Sequence, residues 1–220
     1  MGEKKELQKN KLEVTSGKII VDRFAEASSE IILGKDENLT IFLLPKPPHP
    51  EKAINIYLRG DGSRVEVLGA LVGKSFQESK ITVNIIHQGQ STSAHTHVRA
   101  VLFDGSKAYF YGLIKIEKGA NKTSSLLENR VLILGDGAVN QSVPSLEIEA
   151  DDVKASHAAT TGKLDEGQLF YLQSRGIDRR TATRMLVEGF FEPILARVSE
   201  EKAAAEIRGE LWTDVLRSNV

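Results

Sequence analysis

From about Lys18 to Thr161 the chain alternates short apolar runs with glycine, aspartate and asparagine. Examples are "IILG", "LTIFLLP", "AINIYLRGDG", "ITVNIIHQGQ" and "NRVLILGDG". Several of these runs change sign at every residue, the pattern of a strand with one face buried and the other wet. In "ITVNIIH" the residues Ile81, Val83, Ile85 and His87 fall on one face. No helical period persists through this region.

An internal repeat runs through the same part of the chain. "DGSRVEVLGAL" from Asp61, "DGSKAYFYGLI" from Asp104 and "DGAVNQSVPSL" from Asp136 each open with Asp-Gly and a small residue. Eight positions on stand Gly69, Gly112 and Pro144, followed two later by Leu71, Ile114 and Leu146. Asp-Gly predicts a turn, and the second breaker predicts a bend after a strand of about six residues. The spacing is too uneven for a propeller. Stacked turns of a β-solenoid tolerate it, because each rung only has to bury its apolar face on its neighbours. A β-sandwich also gives many short strands, and two sheets face to face would favour it; the solenoid is preferred.

After Gly162 the texture becomes helical. "DEGQLFYLQSRG" opens on Asp165 and Gln168, a capping-box-like pair, and closes at Gly176. Asp178 predicts a second N-cap, with Ile177 and Ala182 as a staple. The helix it starts has Met185, Leu186, Gly189 and Phe190 as its apolar side and Pro193 as its stop. A third helix begins near Ser199, with a stripe of Ala204, Ile207, Leu211 and Val215. Helices this short need something to dock on. Leu169, Phe170, Leu172, Met185, Leu186, Phe190, Phe191 and Leu195 exceed what one end of a β-helix can cover. Some of them are therefore expected to meet another chain.

Composition narrows the functions. At 40% hydrophobic and 27% charged, the 220 residues can bury a sizeable core. A formal net charge of −1 argues against a nucleic-acid or anionic-membrane partner. No apolar run approaches the ~20 residues of a membrane span. The start "MGEKKELQKNKLE" has no signal-like apolar core, so a cytoplasmic location is expected. There is no cysteine, which excludes thiolate metal ligands and cysteine nucleophiles from this chain.

Candidate chemistry rests on histidines. "GQSTSAHTH" places His95 and His97 with the spacing that opens a cupin metal motif, but the glutamate that should follow is absent from "VRAVLF". On a strand the two imidazoles share a face, which permits a two-histidine metal site; otherwise they are solvated or partner-facing. A histidine–metal enzyme using His87, His95 and His97 is one functional alternative. "HAATTGKL" ends in Gly-Lys but lacks the rest of a phosphate loop. Glu147 and Glu149 share a strand face and suit acid–base work, although such a run more often is a solvated edge. His157, in "SHAATTG", sits among small residues that let another surface approach closely.

The stretch "PSLEIEADDVKASHAATTGKLDEGQLFYLQSRGIDRRTATRMLVEGFFEPIL", Pro144 to Leu195, resembles the signature of the SufB/SufD family of iron–sulfur cluster assembly scaffolds. The matching positions are Pro144, Leu146 to Ile148, Asp152-Val153, His157, Ala159-Thr160, Leu169 to Leu172, Ser174 to Gly176 and Gly189-Phe190. Upstream, "VNIIHQGQSTS", "VLFDGSKAYFYGLIKIEKGA" and "ENRVLILGDGAV" are also similar to the family core, so the resemblance runs from about Ile19 to Leu195.

The resemblance implies a mainly β protein: a right-handed parallel β-helix followed by a small C-terminal α-helical region. The expected division is a polar segment over 1–18, the β-helix over 19–162, and helices over 163–220 that dock a SufC-like ABC-type ATPase. It implies pairing through the β-helix with a SufB-like paralogue or a second copy. It further implies that His157 ligates a transient iron or nascent iron–sulfur cluster at that interface, with no tightly bound cofactor. Lacking cysteine, the chain resembles the SufD branch more than SufB. The expected role is a non-enzymatic scaffold subunit of an ATPase-driven assembly complex. A member that keeps only the docking and pairing surfaces is a second alternative.

Overall fold

The structure, a computed structural model, describes residues 10–11, 17, 19–23, 27–45, 51–74 and 77–218. Most of the expected polar segment 1–18 lies outside the described residues; within it Asn10–Lys11 pairs as a short strand, β1. The odd-numbered strands continue as β3 (Ser28–Leu33), β5 (Glu51–Leu58), β7 (Glu78–His87), β9 (Lys107–Ile116) and β11 (Val139–Ile148). The even-numbered strands are β2 (Ile19–Asp22), β4 (Asn38–Leu43), β6 (Arg64–Gly73), β8 (Ser93–Leu102), β10 (Thr123–Ile133) and β12 (Val153–Lys163). Odd strands form one six-stranded sheet and even strands another, and every pairing is parallel. Two sheets do lie face to face. They are not a sandwich, because the chain crosses between them at each strand and always pairs with the preceding rung. They are the two walls of one β-solenoid.

A rung is about as long as the hydrogen bonds between equivalent side chains indicate: 29 residues from Asn55 to Asn84, 31 from His97 to Glu128. Ile31, Ile56, Ile85, Ile114 and their neighbours stack between the walls as a continuous interior. The expected face of β7 is there, with Ile81, Val83, Ile85 and His87 all buried.

Left-handed turns hold the rungs together. Asp36, Gly62, Ser91 and Lys122 all have positive φ and stack at one corner, joined by N–H donors to Asp61, Gln90, Asn121 and Asp152 carbonyls respectively. Gly105 and Gly137 form the equivalent step at the opposite corner, where the Gly105 N–H donates to the Asp136 carbonyl. The Asp-Gly repeat is therefore turn chemistry from two different corners, and Asp61 stands half a rung out of phase with Asp104 and Asp136. That explains its uneven spacing.

The second breakers do not bend the chain. Gly69, Gly112 and Pro144 lie inside β6, β9 and β11. A Cβ on Gly112 would come within 2.4 Å of Leu127, which reaches across from the opposite wall. Pro144 pairs with Gly112 on an edge strand, where a missing N–H is tolerated.

Three helices follow: α1 (Glu166–Ser174), α2 (Arg179–Leu195) and α3 (Glu201–Leu216). Asp165 caps α1 by accepting from the Gly167 and Gln168 N–H groups at 2.8 and 3.1 Å. Gly176, at φ 85°, ends it in a Schellman turn in which the Ile177 N–H reaches the Leu172 carbonyl. Asp178 caps α2 through Thr181. Pro193 does not stop α2, which runs on to Leu195. The proline frees a carbonyl at Gly189, an exposed residue where water can replace the lost donor.

The buried face of α2 is also not the expected one. Ala182, Val187, Phe191, Ile194 and Leu195 are buried, whereas Met185 and Gly189 are exposed. With Ile207, Leu211 and Val215 of α3, this face covers Phe42, Leu68, Ala70, Val101 and Phe103 on the outside of the even sheet. The helices dock on a wall of the solenoid, not on its end.

Candidate functional site

The last rung is the open end of the solenoid. β11 and β12 are each the outermost strand of their sheet, so each leaves one edge without a strand among the described residues. His157 lies in register with Leu127 of β10, whose side chain is fully buried between the walls. Strand alternation therefore turns His157 toward the interior side as well. It is nevertheless exposed, because no further rung covers it among the described residues. The flanking positions are Ala155, Ser156, Ala158 and Ala159, which leave the imidazole standing clear of bulky neighbours. Across the mouth, the Asn140 amide donates to the Thr161 hydroxyl at 2.8 Å. One rung earlier Gly112 packs against Leu127, and strand register puts Pro144 of β11 and His157 in the same two places. Val139, Val143 and Ile148 leave an exposed apolar margin on the same edge.

His95 and His97 lie elsewhere, on the outer face of the even sheet, with ring centroids 6.4 Å apart. His97 is buried and donates from Nδ1 to Glu128 at 3.3 Å, which leaves Nε2 as its free lone pair. Burial lowers the His97 pKa, opposed by the bond to Glu128. Burial works against ionised Glu128, but hydrogen bonds from Arg130 and His97 hold its carboxyl below the usual carboxylate range. Arg130 reaches Glu128 at 2.7 Å and Arg197 reaches Glu66 at 2.7 Å, so both carboxylates beside the histidines already have cations. Arg99 donates to the Phe190 carbonyl of α2. Among the described residues no three histidine, aspartate or glutamate side chains gather to hold a metal ion.

His87 does not join them. It is fully buried inside the solenoid, with Nδ1 2.8 Å from the Thr92 hydroxyl and Nε2 3.0 Å from that of Ser125. One ring nitrogen donates and the other accepts, which fits a neutral imidazole. Burial pushes its pKa down to about 4. Glu147 and Glu149 flank Lys115 at 3.5 and 3.7 Å, as a solvated edge would. The charged group around His97 could not be read from the linear sequence, since Glu66 and Glu128 come beside β8 only once the rung length is known.

The family description "SUF system FeS cluster assembly, SufBD core domain" matches residues 51–190, which include β12 and His157. The chain belongs to the SufBD family. The matched span is shorter at both ends than the resemblance from Ile19 to Leu195. Bacillus subtilis iron–sulfur cluster assembly protein SufD is 38% identical over 145 residues, 66% of this chain and 33% of the relative. Escherichia coli SufD is 37% identical over 115 residues, 52% of this chain and 27% of the relative. A SufBD family protein of Mycobacterium leprae is 34% identical over 184 residues, 74% of this chain and 45% of the relative. The chain thus matches less than half the length of each of these SufBD relatives. No helix among the described residues is long and apolar enough to cross a membrane.

Proposed function

We propose that this SufBD member is a non-enzymatic scaffold subunit, SufD-like, of an ATPase-driven complex that assembles iron–sulfur clusters in the cytoplasm. The observation that carries the reading is the exposed imidazole of His157 on an uncovered terminal rung, between two free strand edges. Parallel edges with an apolar margin invite pairing with another chain. The partner is a SufB-like paralogue or a second copy. His157 then lies beside the joint and supplies a nitrogen to iron or a nascent cluster, which is the cargo of the complex. One nitrogen holds iron weakly, and this chain has no cysteine, so thiolates come from across the interface.

The second surface is on the helices. Phe170, Tyr171 and Met185 are exposed at 73, 57 and 44%, beside a shallow hollow lined by Tyr171, Leu172 and Leu186. We assign this patch to a SufC-like ABC-type ATPase, since the chain has no phosphate loop of its own.

Two substitutions test the reading. His157→Ala should fold and pair normally yet fail to support cluster maturation in cells; normal maturation would remove His157 from the chemistry. It would also favour a member that keeps docking and pairing alone. Phe170→Glu with Met185→Glu should abolish co-purification with the ATPase and leave the melting temperature unchanged. Truncation at Gly162 is a poorer test, because it would strip the cover from Phe42, Leu68 and Val101.

A further inference from the structure

Where the helices meet one corner of the solenoid they leave a cleft of about 550 Å³. Its floor is built at the carboxyl ends of three adjacent strands: Phe103 after β8, Leu134 after β10 and Lys163 at the end of β12. Its roof is the start of α2, with Arg179, Arg180 and Thr183. The volume lies in the range of about 300–1,000 Å³ usual for small-molecule sites.

The charges in it do not balance. Of its two acids, Asp104 accepts the Asp136 N–H at 2.8 Å and Glu166 pairs with Arg179 at 3.4 Å. Lys163 and Arg180 have no ion-pair partner among the described residues, and the Thr183 hydroxyl has no hydrogen bond there. The start of α2 itself makes no further demand for an anion, because the Asp178 carboxylate already caps it by accepting the Thr181 N–H and hydroxyl.

We propose that this cleft binds a small organic anion, a carboxylate or phosphate on an apolar body. The anionic head lies between Lys163 and Arg180, and the body rests on Leu134 and Ile133, the part-exposed apolar lining. The inference is independent of the role given to His157. To test it, 2-naphthyl phosphate would be titrated into the full chain at low salt, followed by amide NMR, with neutral 2-naphthol as control. Saturable one-site shifts at Gly135, Arg180 and Thr183 are expected. Lys163→Glu with Arg180→Glu should weaken binding at least about tenfold, and the paired glutamine variants by less. Both side chains are exposed, so the fold should survive, and circular dichroism would check it. Equal binding of 2-naphthol, or unchanged affinity in the charge-reversed chain, would overturn the proposal. So would binding of an acidic peptide without binding of the naphthyl phosphate, which would give the cleft to a protein partner.

Discussion

The two walls of the solenoid have the same backbone and the same inward face, but opposite outward ones. Outside the even sheet, Phe42, Leu68, Ala70 and Val101 are sealed under α2 and α3. Outside the odd sheet nothing covers the strands among the described residues, and the side chains make ladders of their own. Asn84 donates to Asn55 at 2.8 Å, and Arg59, Gln88 and Glu117 are joined in series at 3.1 Å. Lys80 stands 5.7 Å from the centre of the Tyr111 ring. A wall that makes its own polar ladder needs no cover. A wall of apolar side chains commits the chain to supplying one, and here the helical region supplies it.

That contrast should be visible in stability. Phe191→Ala empties the centre of the covered wall and should cost about 3–5 kcal/mol, as large-to-small changes in aromatic cores do. Tyr111→Ala on the bare wall should cost about 1 kcal/mol or less. Urea unfolding of both variants checks the pair. Similar losses would mean that the helices contribute little to the fold.

Next in size is the interior that both walls share. His87 has its folded pKa near 4, below the usual 6.5, because burial disfavours its charged form. The unfolded chain therefore binds the extra proton first on acidification. The stability tied to neutral His87 is complete above pH 6.5 and is lost as pH falls toward 4, by about 3 kcal/mol in total. Urea midpoints across that window should fall, and His87→Gln should flatten the part of the slope that carboxylates do not explain. A wild-type slope equal to the variant's would show that water reaches the imidazole.

The smallest effect concerns the ties at the rim of the covered wall. Arg23 meets Glu206 and Glu210 of α3 at 2.5 and 2.6 Å, and Lys74 meets Asp214 at 2.5 Å. These pairs are partly exposed, so Arg23→Ala should cost about 1 kcal/mol or less. Hydrogen exchange along α3 would sharpen the point: faster exchange confined to α3 means that the ties hold its edge only, whereas faster exchange in β6 would give them a share in the wall itself.

Much of this was legible in the sequence, and the reason is local. Period-two runs set the strands of the odd wall. Asp165, Asp178 and Gly176 mark helix ends by chemistry within a few residues of each. The resemblance gave the family and the parallel solenoid. Less legible were features set by neighbours one rung away. Asp36, Ser91 and Lys122 take the left-handed corner without a glycine, held by hydrogen bonds to the next rung. Gly69, Gly112 and Pro144 resemble breakers, yet the sheet carries them as strand.

The sequence by itself determined which residues alternate, where the turns and caps fall, and that no thiolate comes from this chain. Only the tertiary structure decided which helix face is buried, since α2 has apolar residues on both sides and the even wall chose Val187 and Phe191 over Met185. It also decided the exposure of His157. Its strand position is interior, like that of fully buried Leu127 one rung earlier. Burial there depends on whether another rung follows, and that is a property of the stack and not of the residues around the histidine.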